Sequence, residues 1–219
     1  AVNKAVAAYF AATTKSKQKE ALEDLREAVT ALGQKVKDWL GDDDEDDEFI
    51  EENYLPALKG GVSTIEELQA IINQVNLDVA EKLVAKLEAN PWVADTAEAT
   101  AFVNKISVEE SKAAQKALLD RLDAVKAVHA VLSAEEDDDM AEILSDKAFK
   151  NVDNNLGEKY RAAIFEEFEE NTRVTVADIQ AVIDQVNEEH FVGLIKAVVD
   201  AAKAGDNGKL SSALQALKR

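Results

Sequence analysis

The sequence predicts an all-α protein, because apolar residues recur at helical spacing and few residues interrupt the pattern. Only two prolines and eight glycines occur among 219 residues, and strand-like alternation is nearly absent. Apolar residues three or four positions apart lie on one face of a helix. The three clearest stripes are Leu22, Leu25, Val29, Leu32, Val36 and Trp39; Ile65, Leu68, Ile72, Val75 and Val79; and Val176, Ile179, Ile183 and Val186.

Polar residues mark where the predicted helices begin and end. A Thr or Ser followed three residues later by an acid is typical of a capping box, which satisfies the first N–H groups of a helix. Glycine, Asn-Pro and Asp-Asn-Gly sequences favour turns. Helix starts are predicted at Thr64 with Glu67, Ser107 with Glu110, and Thr175 with Asp178; turns are predicted at 60–61, 90–91 and 206–208.

Two helical stretches repeat each other. TIEELQAIINQVN begins at Thr64 and TVADIQAVIDQVN begins at Thr175, and Thr, Gln, Ala, Ile, Gln, Val and Asn recur in place. The offset of 111 residues is about half of the chain, which is typical of a duplicated protein. We therefore predict two duplicated helical domains, 1–133 and 134–219, which meet at the acidic stretch SAEEDDDM.

Composition excludes several classes of function. The formal net charge of −19 argues against binding to nucleic acid or to anionic membrane surfaces, which need clustered Lys and Arg. No apolar run has the length of a membrane span, and cysteine is absent. We expect a soluble, cytoplasmic protein, although a signal peptide that has been removed stays an open alternative. The oligomeric state stays open.

Residues 167–178 resemble the calcium-binding loop of EF-hand proteins. Glu167, Glu169 and Asn171 stand at loop positions 1, 3 and 5, Val174 stands at position 8, and Asp178 closes the loop at position 12. Similar windows occur at 55–66, 99–110 and 203–214, so that four loops form two pairs. The resemblance implies that each domain is a pair of degenerate EF-hand-like helix–loop–helix units.

The same windows argue against calcium. Calcium needs side-chain oxygens at loop positions 1, 3, 5 and 12. Three of the four windows lack side-chain oxygens at positions 1 and 3, and 167–178 has Thr172 where the loop needs glycine. The acidic runs at 41–49 and 135–139 are typical of solvated loops, with loose cation binding as the alternative. We expect no metal site and no cofactor.

Catalysis finds little support, because nucleophile–base pairs are scarce. The chain has no Cys and two histidines, His129 and His190. His129 continues the apolar stripe of Leu118, Leu122 and Val125. It is therefore either a core histidine with its hydrogen bonds satisfied or a residue that faces a ligand. We expect that the protein is not an enzyme.

The segment HFVGLIKAVVDAA, residues 190–202, is apolar nearly all round, which predicts a helix buried on most of its surface. Lys196 lies in its middle. This lysine either pairs with Asp200 one turn on or serves as a buried cation for the acid group of a ligand. The candidate ligand-binding residues are Lys196, Phe191, His129, Trp39, Trp92, Phe10, Tyr160 and Arg161.

A duplicated helical chain with degenerate loops resembles two families built from EF-hand pairs around a buried organic ligand. These are the coelenterazine-binding photoproteins and the okadaic acid-binding proteins of marine sponges. The second resemblance implies a calcium-independent carrier that binds a polyether toxin, which is a large, mostly apolar molecule with one carboxylate, between its helical domains. The aromatic and His-rich cavity of the photoproteins is not reproduced.

A resemblance to another family implies a different function. DIQAVIDQVN (178–187), FKNVDNNLGEKYRAAI (149–164) and AAKAGDNGKLSSALQAL (201–217) are similar to the internal repeats of the IQGAP cytoskeletal scaffolds. The similarity extends over roughly 130–219, with an echo at 64–76. It implies a protein–protein interaction scaffold in place of a small-molecule carrier.

Overall fold

The computed structural model describes residues 1–41, 47–135, 139–145 and 148–218, and all of its regular structure is helical. Within these ranges no β-strand occurs, so the all-α prediction is confirmed. The acidic runs at 41–49 and 135–139 lie partly outside the described residues. Among the described residues, no helix has the length and hydrophobicity needed to cross a bilayer.

Eleven α-helical segments follow one another along the described ranges. A π-helical turn, Ile50–Tyr54, joins the third segment to the fourth. The segments are α1 (Val2–Ala11), α2 (Lys15–Thr30), α3 (Asp47–Phe49), α4 (Leu55–Leu58), α5 (Ile65–Ala89), α6 (Ala97–Lys105), α7 (Lys112–Leu132), α8 (Met140–Ser145), α9 (Gly157–Glu167), α10 (Val176–Ala204) and α11 (Asn207–Ala216).

Most of the predicted helix boundaries are confirmed. Thr175 forms a full capping box with Asp178 at the start of α10. At the start of α5, Thr64 Oγ1 accepts from Glu67 N–H at 3.1 Å. Ser107 differs from its predicted role, because its hydroxyl donates instead to Asp38 Oδ1 at 2.6 Å.

The predicted EF-hand windows overlap helices more than the motif allows. Residues 55–58 belong to α4, 99–105 to α6, and 207–214 to α11. These three windows therefore do not form twelve-residue loops. Of the four windows, only 167–178 lies mostly in a connection between helices, residues 168–175 between α9 and α10.

The chain divides into two compact units. Unit 1 comprises 1–86 and 96–122, and unit 2 comprises 87–95 and 123–219. The boundary thus falls inside α5 and α7, and it differs from the predicted seam between residues 133 and 134. The reason is packing, since the C-terminal end of α7 belongs to the core of unit 2. Its buried side chains there are Ala127, Val128, Val131 and Leu132.

Each unit has its own apolar core. In unit 1 the core joins α1 and α2 to the segment α3–α4 and to the first half of α5. In unit 2 the core contains side chains from the C-terminal end of α7, from α8, from α9 and from the first half of α10. Aromatic residues at the centres are Tyr54 in unit 1 and Tyr160 in unit 2, both fully buried.

A set of hydrogen bonds fixes the turn before α3 in unit 1. Asn76 Oδ1 accepts from Tyr54 Oη at 2.6 Å, and Asn76 Nδ2 donates to Asp38 O at 2.7 Å. Gln69 accepts from Lys37 N–H at 2.6 Å and donates to Lys37 O at 2.9 Å. Asp38 has φ +58°, a left-handed conformation that the turn requires. We call this arrangement the Tyr–Asn–Gln clamp.

Unit 2 contains the same clamp. Asn187 Oδ1 accepts from Tyr160 Oη at 2.5 Å, and Asn187 Nδ2 donates to Asn151 O at 2.8 Å. Gln180 accepts from Lys150 N–H at 2.8 Å and donates to Lys150 O at 3.1 Å. Asn151 has φ +58°. The two units therefore share one hydrogen-bond pattern, bond for bond.

Candidate functional site

The second half of α10 and the whole of α11 form a helical hairpin, residues 190–217, which we call the terminal hairpin. Helix α11 packs against α10. Gly205, with φ +65°, ends α10 in the left-handed conformation that glycine adopts without strain. Asp206 N–H donates to Ala201 O and Gly205 N–H donates to Ala202 O, which is a Schellman turn. Asp206 Oδ1 then accepts from Lys209 N–H at 3.0 Å and caps α11.

The terminal hairpin exposes an apolar face. Five of its large apolar side chains are at least two-fifths exposed: Phe191 at 54%, Val192 at 57%, Ile195 at 42%, Val199 at 42% and Leu214 at 44%. The prediction that residues 190–202 are buried on most of their surface is therefore wrong. Physically, the core of unit 2 draws on α10 mainly up to Val186, and α11 alone is too small to cover the rest.

The terminal hairpin also differs in charge from the rest of the chain. Residues 190–217 contain three lysines and two aspartates, a formal net charge of +1. The whole chain carries −19, so the remaining residues carry −20. An apolar face flanked by lysines therefore stands on a strongly acidic protein, which favours acidic over basic partners.

Lys196 lies on the exposed side of this hairpin. Its side chain is 76% exposed, and Nζ donates to Asp200 Oδ2 at 2.6 Å. This hydrogen bond and the charge of Asp200 raise the pKa of Lys196. Of the two interpretations above, pairing with Asp200 is confirmed, and the expected burial of the cation is wrong. Among the described residues of unit 2, none removes Lys196 from solvent, because its turn of α10 lies beyond the core.

The other candidate ligand residues are spread over both units. In unit 1, Trp39 stacks on Tyr54 with ring centroids 4.4 Å apart. Phe10 is 45% exposed, and Lys59 Nζ lies 5.0 Å from its ring centroid. These contacts serve the unit 1 core and its surface, and Trp39 and Phe10 belong to a different unit from Lys196.

The remaining candidates have structural contacts within unit 2. His129 Nδ1 lies 2.9 Å from Pro91 O, which satisfies one ring nitrogen. Trp92 lies 6.4 Å from Phe165 between ring centroids. Tyr160 belongs to the clamp, and burial raises the pKa of its phenol. Arg161 Nη1 donates to Ala134 O at 3.2 Å.

Phe191 is the candidate that borders a sizeable groove. This open groove of about 680 Å³ lies between the unit 2 clamp and the terminal hairpin. Amide and carboxylate groups of the clamp turn form one wall, and α10 and α11 form the other. Its lining includes Asn151, Asp153, Asn187, His190, Phe191 and Leu217.

The acidic loop 168–175 is held by bonds of its own. Asp178, at loop position 12, accepts from Thr175 N–H at 2.8 Å and from Thr175 Oγ1 at 2.7 Å. Thr172 Oγ1 donates to Glu169 O at 2.6 Å. Across the described ranges, no three or more His, Cys, Asp or Glu side chains come together in a way that could hold a metal ion.

Sequence reasoning missed the exposed face of the terminal hairpin. One signal could have found it. At the same offset of 111 residues, two acids of the first copy correspond to valine in the second. Glu81 corresponds to Val192 and Glu88 to Val199. Such changes widen an apolar face instead of closing it.

Comparisons with models of known protein families, with curated protein sequences and with solved structures find no match.

Proposed function

We propose that this chain is a non-enzymatic protein–protein interaction scaffold and that its terminal hairpin binds an acidic protein partner. The observation that carries the proposal is the exposed apolar face of Phe191, Val192, Ile195, Val199 and Leu214. Exposed apolar side chains that are contiguous on one face are typical of interaction sites, whereas isolated ones are common on any surface.

Charge supports an acidic partner. The hairpin has a formal net charge of +1, whereas the rest of the chain carries −20, and its three lysines lie on the same two helices as the apolar side chains. Lysines at the rim of an apolar patch raise the association rate with an acidic partner and disfavour basic ones. The resemblance to the IQGAP internal repeats is also consistent with a scaffold. Of the similar segments, 178–187 lies in the helix that carries the clamp, and 201–217 contains the turn and the second helix of the hairpin.

We further infer that the two units arose by duplication. The shared clamp supports this, because its Gln and Asn residues are both separated by 111 residues between units. A duplicated helical unit suits a scaffold, in which each unit offers a related surface.

A second candidate function is the binding of a large apolar acid of the polyether type. The groove beside Phe191 supports it, since about 680 Å³ lies within the range of small-molecule sites. In this version His190 and the clamp amides would meet the ligand, and Lys196 would not, because it is exposed and paired with Asp200.

Two measurements test the proposal and separate the candidates. Cross-linked partners from native extract are compared for the wild type, for Ile195→Asp and for the control Val93→Asp, which alters an exposed valine outside the hairpin. Partners that bind the purified wild type and control, but not Ile195→Asp, support the scaffold. Native mass spectrometry before and after organic extraction tests the carrier. A lost mass of several hundred daltons, with no partner lost in Ile195→Asp, would overturn the scaffold.

A further inference from the structure

The terminal hairpin has a counterpart in unit 1. Helices α5 and α6 follow the first clamp as α10 and α11 follow the second. An offset of 111 residues aligns the bounds of α6 with those of α11 to within one residue, although α10 extends four residues further than α5. The counterpart positions differ sharply in exposure. Ala80, Val84 and Val103 are fully buried, whereas their counterparts Phe191, Ile195 and Leu214 are 54%, 42% and 44% exposed.

Helix α7 is hydrogen-bonded to both of these helices in unit 1. Arg121 Nη1 donates to both carboxylate oxygens of Glu81 on α5, at 2.8 and 2.6 Å. Gln115 Nε2 donates to Val103 O on α6 at 2.9 Å. The first half of α7, Lys112–Leu122, is therefore bonded to both helices. Its apolar residues Leu118 and Leu122, one turn apart, are 4% and 0% exposed.

The counterpart of this covering helix is missing from unit 2 within the described residues, since Phe191, Ile195 and Leu214 stay open to solvent. The hairpin is also better suited to an apolar helix than α5–α6 is. Val192 stands where Glu81 receives Arg121 in unit 1. In unit 1 a helix is thus hydrogen-bonded to α5 and α6, and in unit 2 the acid that would receive its arginine is replaced by valine.

We propose that the terminal hairpin binds an amphipathic helix of a partner protein, in the position that Lys112–Leu122 occupies on α5 and α6. The inference rests on the proposed function and names its partner. The partner helix carries two leucine-like residues at i and i+4. It carries an apolar residue at the position of Arg121, because Val192 offers no carboxylate. Acidic residues at its flanks meet the lysines of the hairpin.

The probe is a labelled peptide of residues 109–126 with Arg121→Leu, titrated with the full chain by fluorescence anisotropy. Short helices are marginal in water, so part of the binding energy orders the peptide, and we expect saturation in the micromolar range. The unsubstituted peptide should bind several-fold more weakly, because its arginine meets Val192. The protein variant Val192→Glu should reverse this order, because it restores the carboxylate that Arg121 meets in unit 1.

Matched variants decide where the peptide binds. Ile195→Asp should weaken binding by at least about tenfold, as expected for a central apolar contact. Val93→Asp should leave the affinity for the peptide unchanged. All three protein variants should keep the wild-type melting temperature, because Val93, Val192 and Ile195 are exposed. Peptide substitutions Leu118→Asp and Leu122→Asp should abolish binding.

Three results would overturn the proposal. The first is no binding at millimolar peptide, and the second is binding that ignores Ile195→Asp and Val192→Glu. The third is a dimer in light scattering that Ile195→Asp dissociates, which would make a second copy of the chain the occupant. In all three cases the proposed scaffold function survives if Ile195→Asp still loses captured partners. It fails separately if partner capture is the same in Ile195→Asp and wild type.

Discussion

The phenol of Tyr54 donates a 2.6 Å hydrogen bond to Oδ1 of Asn76, and both side chains are fully buried. Tyr54 Oη also accepts from Leu40 N–H at 3.3 Å, so the phenol connects α5 to the turn that precedes α3. In unit 2, Tyr160 Oη donates to Asn187 Oδ1 and accepts from Asp153 N–H at 2.9 Å. The buried amide of Asn76 is tolerated because its oxygen and its nitrogen both have partners, and the half-buried Asn187 has the same two kinds of partner.

Removing the phenol oxygen should destabilise each unit. Tyr54→Phe leaves Asn76 Oδ1 and Leu40 N–H without this partner, and it should lower the free energy of unfolding by about 1–3 kcal/mol. Tyr160→Phe should have a similar effect. Urea unfolding measures both variants, and Gln74→Ala on the exposed face of α5 serves as the control. Equal stabilities of Tyr54→Phe and the control would contradict the importance of the clamp.

The left-handed residue of the clamp turn gives a second prediction. Asn151 has φ +58°, which glycine adopts freely and β-branched residues avoid. Asn151→Val should therefore cost about 1–2 kcal/mol of stability, whereas Asn151→Gly should stay close to wild type. Thermal unfolding followed by circular dichroism makes the comparison. If Asn151→Val and Asn154→Val are equally stable, the conformation of the turn is not the reason for Asn at 151.

Local patterns in the sequence predicted the helices well. Periodicity predicted the stripes of α5 and α10, and Thr175 with Asp178 predicted the start of α10. The first stripe was only partly correct, because α2 ends at Thr30 and Leu32, Val36 and Trp39 lie beyond it. The turn predicted at 90–91 coincides with the end of α5 at Ala89. These features depend on residues within a few positions of one another, so a single sequence contains the physics that determines them.

Burial of the terminal hairpin could not be predicted in the same way. An apolar helix face shows that something covers it, but periodicity does not say whether the cover is the same chain or another. The stripe of α5 is covered within unit 1, and that of α10 beyond Val186 is not. The prediction that Lys196 is buried followed from the same error. A lysine within an apolar helix is buried only if that part of the helix is itself buried.

The helix caps provide a third prediction. Thr175 Oγ1 accepts from Asp178 N–H, and Asp178 in return accepts from Thr175 N–H. Thr175→Ala should cost about 1 kcal/mol, and Thr64→Ala should cost a similar amount at the start of α5. Replacement by serine should restore most of the loss, since the hydroxyl is retained. Chemical denaturation of the Ala and Ser pairs checks this; a serine as destabilising as alanine would argue for packing of the threonine methyl instead.

Asp153 makes stability depend on pH. Its Oδ1 accepts from Asn155 N–H and from Asn155 Nδ2, both at 2.8 Å, and these bonds lower the pKa of Asp153 below the ordinary value of 3.8. A carboxyl whose pKa is lower in the folded state stabilises above the unfolded pKa, and that stability is lost as pH falls through the folded pKa.

The variant Asp153→Ala isolates this contribution from the other acids of the chain. Wild type should be more stable than the variant by about 1 kcal/mol at pH 6, the usual contribution of such a cap. The difference should shrink as pH falls below 3.8, because the protonated carboxyl accepts more weakly. Urea unfolding at several pH values measures it. A difference that grows toward low pH would contradict the sign of the shift.

Calcium should leave the protein almost unchanged. The carboxylate that would close the loop 167–178 is Asp178, and it is already bonded to Thr175 N–H and Oγ1. To coordinate calcium it would have to leave the capping box, at a cost of about 1 kcal/mol. The other windows lack side-chain oxygens at positions 1 and 3, and only 203–214 has one at position 5, Asn207. Millimolar calcium should therefore shift the melting temperature by less than the scatter among replicate samples that contain magnesium at the same concentration. Two or more tight sites in a calorimetric titration would show that the loops rearrange to bind the ion.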